Sequence, residues 1–490
     1  WTLSGNTEYS STTWNSNATA NVTRMFGLCA SSGYSDDLYC LPTRFDDYEI
    51  GSNTLTLNIT SDLTYTRWST DSTDNEISGT GTVVKSGNAM LTFDRSSNTF
   101  TGAFNINDGT ARITTNGGFS TTSVNVADGA TLDLNDKNFN HSGRTITIDG
   151  TGHNNVGALY LSDGGSDNVT FNNSTIQLND DASIGVAASN DTLRLYDGDS
   201  NTVITRQGSE NNDLTITGSG KVQVEDDINL GSGNIIVGSN ATLEMQGTSD
   251  NAIVGITAGT VTVNGTMILD SHDIFGNHAA SSRPTMVING TLTNATGHVN
   301  MLGATTLSGA TINMSDGHST SGRTLGIVFD GNVTVSGSSA STVSSSGTAV
   351  IGLTSNNAAG SRDVTFDVGN VASGTDLTIS AAIENGVGSS YPTAVASGLI
   401  KDGAGTMSLS SSSNTFTGST VVRAVTFIVT SLSSSSTVTL TDSSTTSSDT
   451  PQLLIPLTTT LASVIVVANN STASNPVIGS SGSGYSVALF

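Results

Sequence analysis

The chain has 490 residues, a net charge of −25 and a pI near 4.2, with only 16 basic residues. This balance disfavours nucleic acid as a partner, because phosphate binding requires clustered Lys and Arg. Ser, Thr, Asn and Gly make up half of the chain, whereas charged residues are 12% and aromatic residues 5%. This composition argues against a series of ordinary globular domains, and no run of 18 apolar residues predicts a transmembrane segment.

Residues 1–75 differ from the rest of the chain and predict an N-terminal cap or docking module. All three tryptophans lie in this segment: Trp1, Trp14 and Trp68. Cys29 and Cys40 are the only cysteines, and we expect them to form one disulfide that closes a short loop, with two separate buried thiols as the alternative. Because the first residue is not Met, we also expect that a signal peptide has been removed and that the protein is secreted.

Residues 76–424 predict the regular body of the fold. Short apolar triplets with period-two alternation recur along it, as in Leu132–Leu134, Val222–Val224 and Val261–Val263, and turn residues interrupt every candidate helical stripe. An all-β, right-handed parallel β-solenoid (a β-helix) accounts for both observations. Each coil places a few apolar side chains in a thin core and the remaining residues in turns and outer faces. An array of β-sandwiches is the rival prediction, but it requires more large apolar residues to fill several separate cores.

The pentapeptide Asn-Thr-Phe-Thr-Gly occurs twice, at Asn98–Gly102 and at Asn414–Gly418. A lysine precedes the asparagine by thirteen positions in each copy, namely Lys85 and Lys401. This frame resembles the autotransporter-associated β-strand repeat of passenger regions in bacterial surface proteins. The resemblance covers two short segments and implies a repetitive β architecture and an extracellular or cell-surface location. It implies no particular ligand.

Residues 425–490 predict a Ser/Thr-rich C-terminal β segment that ends on the apolar strand Tyr485–Phe490. A terminal strand of this kind can pair with an exposed sheet edge of a neighbouring subunit. Packing against its own solenoid is an equally good interpretation. The residues predicted to contribute to assembly lie at the two ends of the chain: Trp1, Trp14, Tyr485, Val487, Leu489 and Phe490.

Two oxygen-rich turns are the candidate metal sites. Asp163 and Asp167 lie in one turn, and Asp197 and Asp199 lie in the other. Ca²⁺ is the ion that such turns would bind, although ordinary Asp-Gly turn chemistry is the preferred interpretation. No other cofactor is expected.

Histidines and adjacent carboxylates are the remaining candidates for chemistry. The stretch Ser271–His278 has the most metal-like histidine spacing, and we interpret it as an ordinary loop. The carboxylate groups Asp46–Asp47, Asp180–Asp181 and Glu225–Asp227 are candidate glycosidase pairs. Because the body of the chain has few aromatic residues to bind a sugar, we expect no catalysis.

The sequence therefore favours a non-enzymatic, extracellular structural protein, a β-solenoid subunit that self-associates into a cell-surface fibre or filament. The first alternative is a monomeric passenger-type adhesin that binds a glycan or a surface protein. A weaker alternative is a polysaccharide-active β-helix enzyme. Self-association, saturable ligand binding and release of sugar ends distinguish these three classes.

Overall fold

The structure is a computed structural model, and it divides into two compact units, Trp1–Gly233 (unit 1) and Asn234–Phe490 (unit 2). Among the residues that it describes, the elements are β-strands and one 3-10 turn at His153–Asn155. Beyond short strands between residues 2 and 41, the structure describes residues 48–65, 77–93, 98–117, 119, 121–162, 165, 168–196, 202–247, 255–277, 280, 282–355, 363–388, 393–424, 426–432, 437–441, 451–455, 464–468 and 477–480.

Unit 1 is a solenoid whose long strands pair in parallel with the strands of the preceding and following coils. Its strands are β1 (Thr2–Leu3), β2 (Thr12–Thr13), β3 (Ala18–Val22), β4 (Leu28–Cys29), β5 (Cys40–Leu41), β6 (Tyr48–Glu49), β7 (Thr54–Ile59), β8 (Leu63–Tyr65), β9 (Ile77–Ser78), β10 (Thr82–Ser86), β11 (Met90–Phe93), β12 (Ala103–Ile106), β13 (Gly109–Ile113), β14 (Ser123–Val126), β15 (Ala130–Asp133), β16 (Phe139–Gly150), β17 (Leu159–Leu161), β18 (Asn168–Val186), β19 (Thr192–Tyr196), β20 (Thr202–Arg206), β21 (Leu214–Gly218), β22 (Lys221–Val224) and β23 (Asp227–Asn229).

Unit 2 repeats this parallel arrangement and adds a second sheet of six strands, four of which pair in parallel. Its strands are β24 (Ile235–Val237), β25 (Thr242–Gln246), β26 (Ile256–Thr257), β27 (Thr260–Val263), β28 (Thr266–Asp270), β29 (Thr285–Ile288), β30 (Thr291–Asn294), β31 (Asn300–Leu302), β32 (Thr305–Leu307), β33 (Thr311–Met314), β34 (His318–Thr320), β35 (Arg323–Phe329), β36 (Val333–Val335), β37 (Ser341–Ser345), β38 (Val350–Ser355), β39 (Asp363–Val368), β40 (Leu377–Ile379), β41 (Ile383–Val387), β42 (Ala394–Val395), β43 (Gly398–Asp402), β44 (Met407–Leu409), β45 (Thr420–Val422), β46 (Thr426–Val429), β47 (Thr437–Thr441), β48 (Gln452–Ile455), β49 (Val464–Ala468) and β50 (Val477–Ser480).

The core of each unit is a set of inward columns that run from coil to coil. In β10, Val83 and Lys85 are buried and their neighbours are partly exposed, because successive side chains of a strand point to opposite faces. The register places Lys85 between Leu57 of β7 and Ile106 of β12. A lysine therefore occupies an apolar column, and its ammonium group requires partners inside the solenoid.

Unit 1 also contains a row of phenylalanine rings in its core. Phe104 lies 6.2 Å from Phe100 and 4.7 Å from Phe119 between ring centroids. The row continues from Phe119 to Phe139 at 6.1 Å and from Phe139 to Phe171, in a stacked pair, at 5.1 Å. Five of the few aromatic residues are thus concentrated in one line, where they fill a core that aliphatic triplets alone leave thin.

An outward face of unit 2 carries a column of threonines. The parallel register of β25, β28, β30, β33, β37 and β40 aligns one threonine from each strand. We call this column the threonine ladder: Thr242, Thr266, Thr291, Thr311, Thr342 and Thr378. Each side chain is partly or fully exposed, so the ladder presents one hydroxyl and one methyl group per coil to solvent.

The predicted fold class, an all-β parallel β-solenoid, is confirmed. The predicted division into residues 1–75, 76–424 and 425–490 stays a prediction. Strands β3 and β7, which precede residue 76, pair in parallel with each other and continue into β10. The ladder of unit 1 therefore includes part of the predicted cap.

Candidate functional site

The repeat lysines close turns from the inside of the solenoid. Lys401 aligns with Phe366 and Val422 in an inward column, and its Nζ donates to the carbonyl oxygens of Asp402 at 2.8 Å, Gly403 at 2.8 Å and Ala424 at 3.3 Å. These carbonyls belong to two successive coils. The lysine therefore joins one coil to the next by donating to carbonyl groups of both.

Lys85 does the same in unit 1. Its Nζ donates to the carbonyl oxygen of Gly87 at 2.5 Å and to that of Asp108 in the next coil. Burial lowers the pKa of Lys85 and of Lys401 to about 8, against the opposing effect of nearby aspartates. Both side chains are completely inaccessible to solvent, so neither is available to bind an external ligand.

The repeat asparagines form a second link between coils. Asn98 Oδ1 accepts from the Ile77 N–H group at 3.1 Å, and Asn414 Oδ1 accepts from the Ile383 N–H group at 2.9 Å. Asn414 Nδ2 also donates to the carbonyl oxygen of Ser431 at 2.8 Å. Asn414 therefore supplies both an acceptor and a donor where the backbone leaves the sheet, whereas the contact of Asn98 uses its acceptor oxygen.

The remaining repeat residues have packing roles. Phe100 and Phe416 are fully buried. Gly102 and Gly418 lie where adjacent coils touch, because an added Cβ would be 1.9 Å from the Gly81 oxygen at the first position and 2.3 Å from the Ser397 carbonyl carbon at the second. The pentapeptide is therefore a structural element whose two threonines alone are exposed.

A group of histidines in unit 2 is the main titratable cluster that sequence spacing does not reveal. The ring centroid of His272 lies 4.7 Å from that of His298 and 4.4 Å from that of His318, both in edge-to-face arrangements. His298 Nε2 lies 3.3 Å from Asp270 Oδ1. The predicted partner His278 lies outside the described residues. Among the residues described, no group of three or more His, Cys, Asp and Glu side chains is placed to hold a metal ion.

The candidate carboxylate pairs have structural partners where they are described. Asp181 Oδ1 accepts from the Asp213 N–H group at 2.8 Å. Glu225 is buried and forms a two-point ion pair with Arg194, whose pKa is raised chiefly by that hydrogen bond to Glu225. Asp46 and Asp47 lie outside the described residues. These contacts give the described carboxylates roles in turns and in coil-to-coil pairing.

The other predicted site residues cannot be placed. The candidate Ca²⁺ ligands Asp163, Asp167, Asp197 and Asp199 all lie outside the described residues. The same holds for the predicted assembly residues: Trp1, Trp14, Tyr485, Val487, Leu489 and Phe490. Both sets stay predictions.

The predicted disulfide between Cys29 and Cys40 stays a prediction, and the backbone register is compatible with it. Strands β4 and β5 are antiparallel, and Cys29 lies directly opposite Cys40. Opposite residues of an antiparallel pair have Cα atoms about 4.5–5.5 Å apart, within the range that a disulfide spans. We expect peptide mapping of the unreduced protein to recover Cys29 and Cys40 in one cross-linked species and thiol titration to find no free thiol. Two titratable thiols in the denatured, unreduced chain would contradict this prediction.

Comparison with known proteins gives one match. The family model described as the passenger-associated-transport-repeat matches residues 83–110 and 399–424, which include both copies of the pentapeptide. No curated protein and no solved structure matches the chain. In the described residues, no helix has the length and apolar character needed to cross a membrane. The chain is thus a β-solenoid protein in which two short segments match the passenger-associated-transport-repeat.

Proposed function

We propose that this chain is an extracellular structural protein, a subunit of a cell-surface fibre or filament built from β-solenoids. Passenger repeats belong to proteins displayed outside the bacterial cell, which supports the location. The main observation in favour of a structural role is that the repeat residues form hydrogen bonds between successive coils. Lys401 and Asn414 link successive coils from within, so these repeat residues stabilise the solenoid.

The proposed self-association would use the strands nearest the C-terminus. Strand β49 pairs with β47, and β50 pairs with β48, of the preceding coil. A strand with one unpaired edge can accept a strand from another chain. Head-to-tail contacts of this kind are heterologous and extend into filaments when they do not close a ring. The apolar strand Tyr485–Phe490 is the proposed donor.

An adhesin is the second candidate function, and the threonine ladder favours it. Its exposed hydroxyl groups recur once per coil on an uncharged column. A neutral glycan or an extended protein segment could bind along such a column through repeated hydrogen bonds. On this alternative the chain stays monomeric and its ligand binding is saturable.

Deletion of Tyr485–Phe490 tests the proposed function. We expect the full chain to form filaments with a regular axial repeat in electron micrographs and a mass in light scattering that increases with concentration. The deleted chain should remain monomeric and keep its β-rich circular dichroism. As the matched control, replacement of the six residues by an equally long Gly/Ser segment should also prevent assembly.

Imaging with and without Ca²⁺ separates strand exchange from ion-mediated association. Filaments that form equally well from the deleted chain would refute the strand-exchange mechanism. Monomers of the full chain at every concentration would favour the adhesin, and a glycan-binding screen with a Thr291→Val variant of the ladder would then test that alternative.

A further inference from the structure

His272 occupies the centre of the histidine cluster of unit 2, between the rings of two histidines that follow later in the chain. Its ring packs edge-to-face against His298 and against His318 at the start of β34. Edge-to-face packing is favourable for neutral rings, because the positive edge of one ring meets the negative face of the other. Like charges on rings this close would repel each other.

The protonation state of His272 follows from its hydrogen bond. The Val299 N–H group points at His272 Nδ1 at a distance of 3.2 Å. An amide N–H can only donate, so Nδ1 of His272 accepts and carries no proton. In His318, by contrast, Nδ1 carries the proton, because this atom lies 3.2 Å from the Gly297 carbonyl oxygen and must donate to it. Full protonation of His272 would therefore break its bond to Val299.

This bond is one of four that tie residues 271–274 to residues 299–300. The other three run from the Asp273 N–H group to the Val299 oxygen at 3.0 Å, from the Ile274 N–H group to Asn300 Oδ1 at 2.9 Å, and from Asn300 Nδ2 to the Ser271 oxygen at 2.9 Å. Val299 is buried in a small apolar cluster with Met301 and Leu325. Loss of the histidine bond thus leaves a buried amide without its acceptor, which is costly.

The charged groups around the cluster favour protonation at His298 first. Asp270 Oδ1 lies 3.3 Å from His298 Nε2, and an adjacent carboxylate stabilises an imidazolium. Asp273 follows His272 in the chain and attracts Arg283, which is itself bound to Asp330 at 2.5 Å. Asp316 accepts hydrogen bonds from Thr348 through its side chain, and Arg323 of the β34–β35 hairpin is paired with Glu384 at 2.8 Å.

We propose that the His272–Val299 contact is an acid-sensitive joint, in which protonation of His272 releases the Val299 amide and loosens the contact between residues 271–274 and 299–300. His298 takes up a proton first because of Asp270, and its charge then opposes a second proton on His272. The joint is complete above the ordinary titration range of histidine, near pH 6.5, and opens as pH falls through and below that range. The inference does not depend on whether the chain forms fibres.

Hydrogen exchange of the Val299 amide in the full chain, corrected for the intrinsic exchange rate at each pH, tests the joint. Between pH 7.5 and pH 5.0 the protection factor should fall about fivefold or more, the loss expected for one hydrogen bond. His272→Asn should remove this pH dependence, because the asparagine Oδ1 can accept from the amide and does not titrate. His272→Leu should show low protection at both pH values, because it supplies no acceptor.

His153→Asn is the matched control, since His153 lies in the 3-10 turn of unit 1. It should leave the acid response at Val299 as large as in the parent. Equal protection of the parent at both pH values would overturn the proposal. So would an acid response in His272→Asn as large as that of the parent. The protection factors at the two pH values are compared within each variant. A general loss of stability lowers protection at both pH values and therefore does not produce the expected pH dependence.

Discussion

Replacement of Phe104 by alanine is expected to lower the free energy of unfolding of unit 1 by about 3–5 kcal/mol. The side chain is completely buried and its ring touches neighbours on both sides, Phe100 and Phe119. The parallel ladder fixes the backbone of β12 between β10 and β14. Because these strands cannot move inward to fill the space, the substitution should leave a cavity rather than a collapsed core.

Urea denaturation followed by circular dichroism, together with hydrogen exchange of β12 and β14, measures this effect. The exchange data matter because solenoid proteins can lose adjacent coils without unfolding completely. Thr101→Ala is the matched control, because Thr101 is an exposed residue of the repeat, and its effect should stay within about 0.5 kcal/mol. A loss of less than about 1 kcal/mol for Phe104→Ala would contradict the assignment of this ring to a packed core.

Replacement of Lys401 by methionine is expected to destabilise unit 2 at neutral pH, although it removes a buried charge from an apolar column. Methionine is also unbranched and is one atom shorter than lysine, but it donates no hydrogen bond. The carbonyl oxygens of Asp402, Gly403 and Ala424 then lose their donor. Each buried polar group left unsatisfied costs about 1–3 kcal/mol, so we expect a net loss of about 2–4 kcal/mol after the relief of lysine desolvation.

The pH dependence of this difference identifies the lysine as its cause. The pKa of Lys401 is lowered by burial from 10.5 to about 8, so between these values the unfolded chain binds more protons than the folded one. Folding stability of the parent should therefore rise with pH across this window. The Lys401→Met variant lacks this contribution, and the stability gap between parent and variant should widen from pH 8 to pH 10.

Paired urea titrations at pH 7, 8, 9 and 10 measure this gap. Lys221→Met is the control, because Lys221 is a partly exposed lysine at the start of β22. The control should show a small and pH-independent effect. A stability gap for Lys401→Met that narrows with rising pH would contradict the assigned direction of the pKa shift.

Much of the fold could be predicted from local sequence patterns. Triplets such as Val222–Val224 alternate with period two, and the structure buries their outer members and leaves Gln223 partly exposed. The two segments that match the passenger repeat include both pentapeptides. Each pentapeptide follows its lysine, Lys85 or Lys401, at the same spacing. These features are local, since strand alternation and turn chemistry depend on neighbouring residues.

What each repeat residue does could not be predicted from spacing. Asn98 reaches back 21 residues to Ile77, whereas Asn414 reaches back 31 residues to Ile383 for the same hydrogen bond. The length of a coil varies because turns accept insertions with little cost. Two copies of one motif therefore sit in coils of different length, and only the folded register shows which backbone group each side chain meets.

By itself, the sequence determined that this protein is a repetitive, strand-rich solenoid with two segments of passenger-repeat type, because alternation and repetition depend on neighbouring residues. The tertiary structure alone decided which polar groups become neighbours. It placed two lysines inside apolar columns and brought His272 against His298 and His318, which lie 26 and 46 positions further along the chain. Those contacts depend on the number of residues in the turns of each coil. Packing between coils fixes the resulting register of the strands.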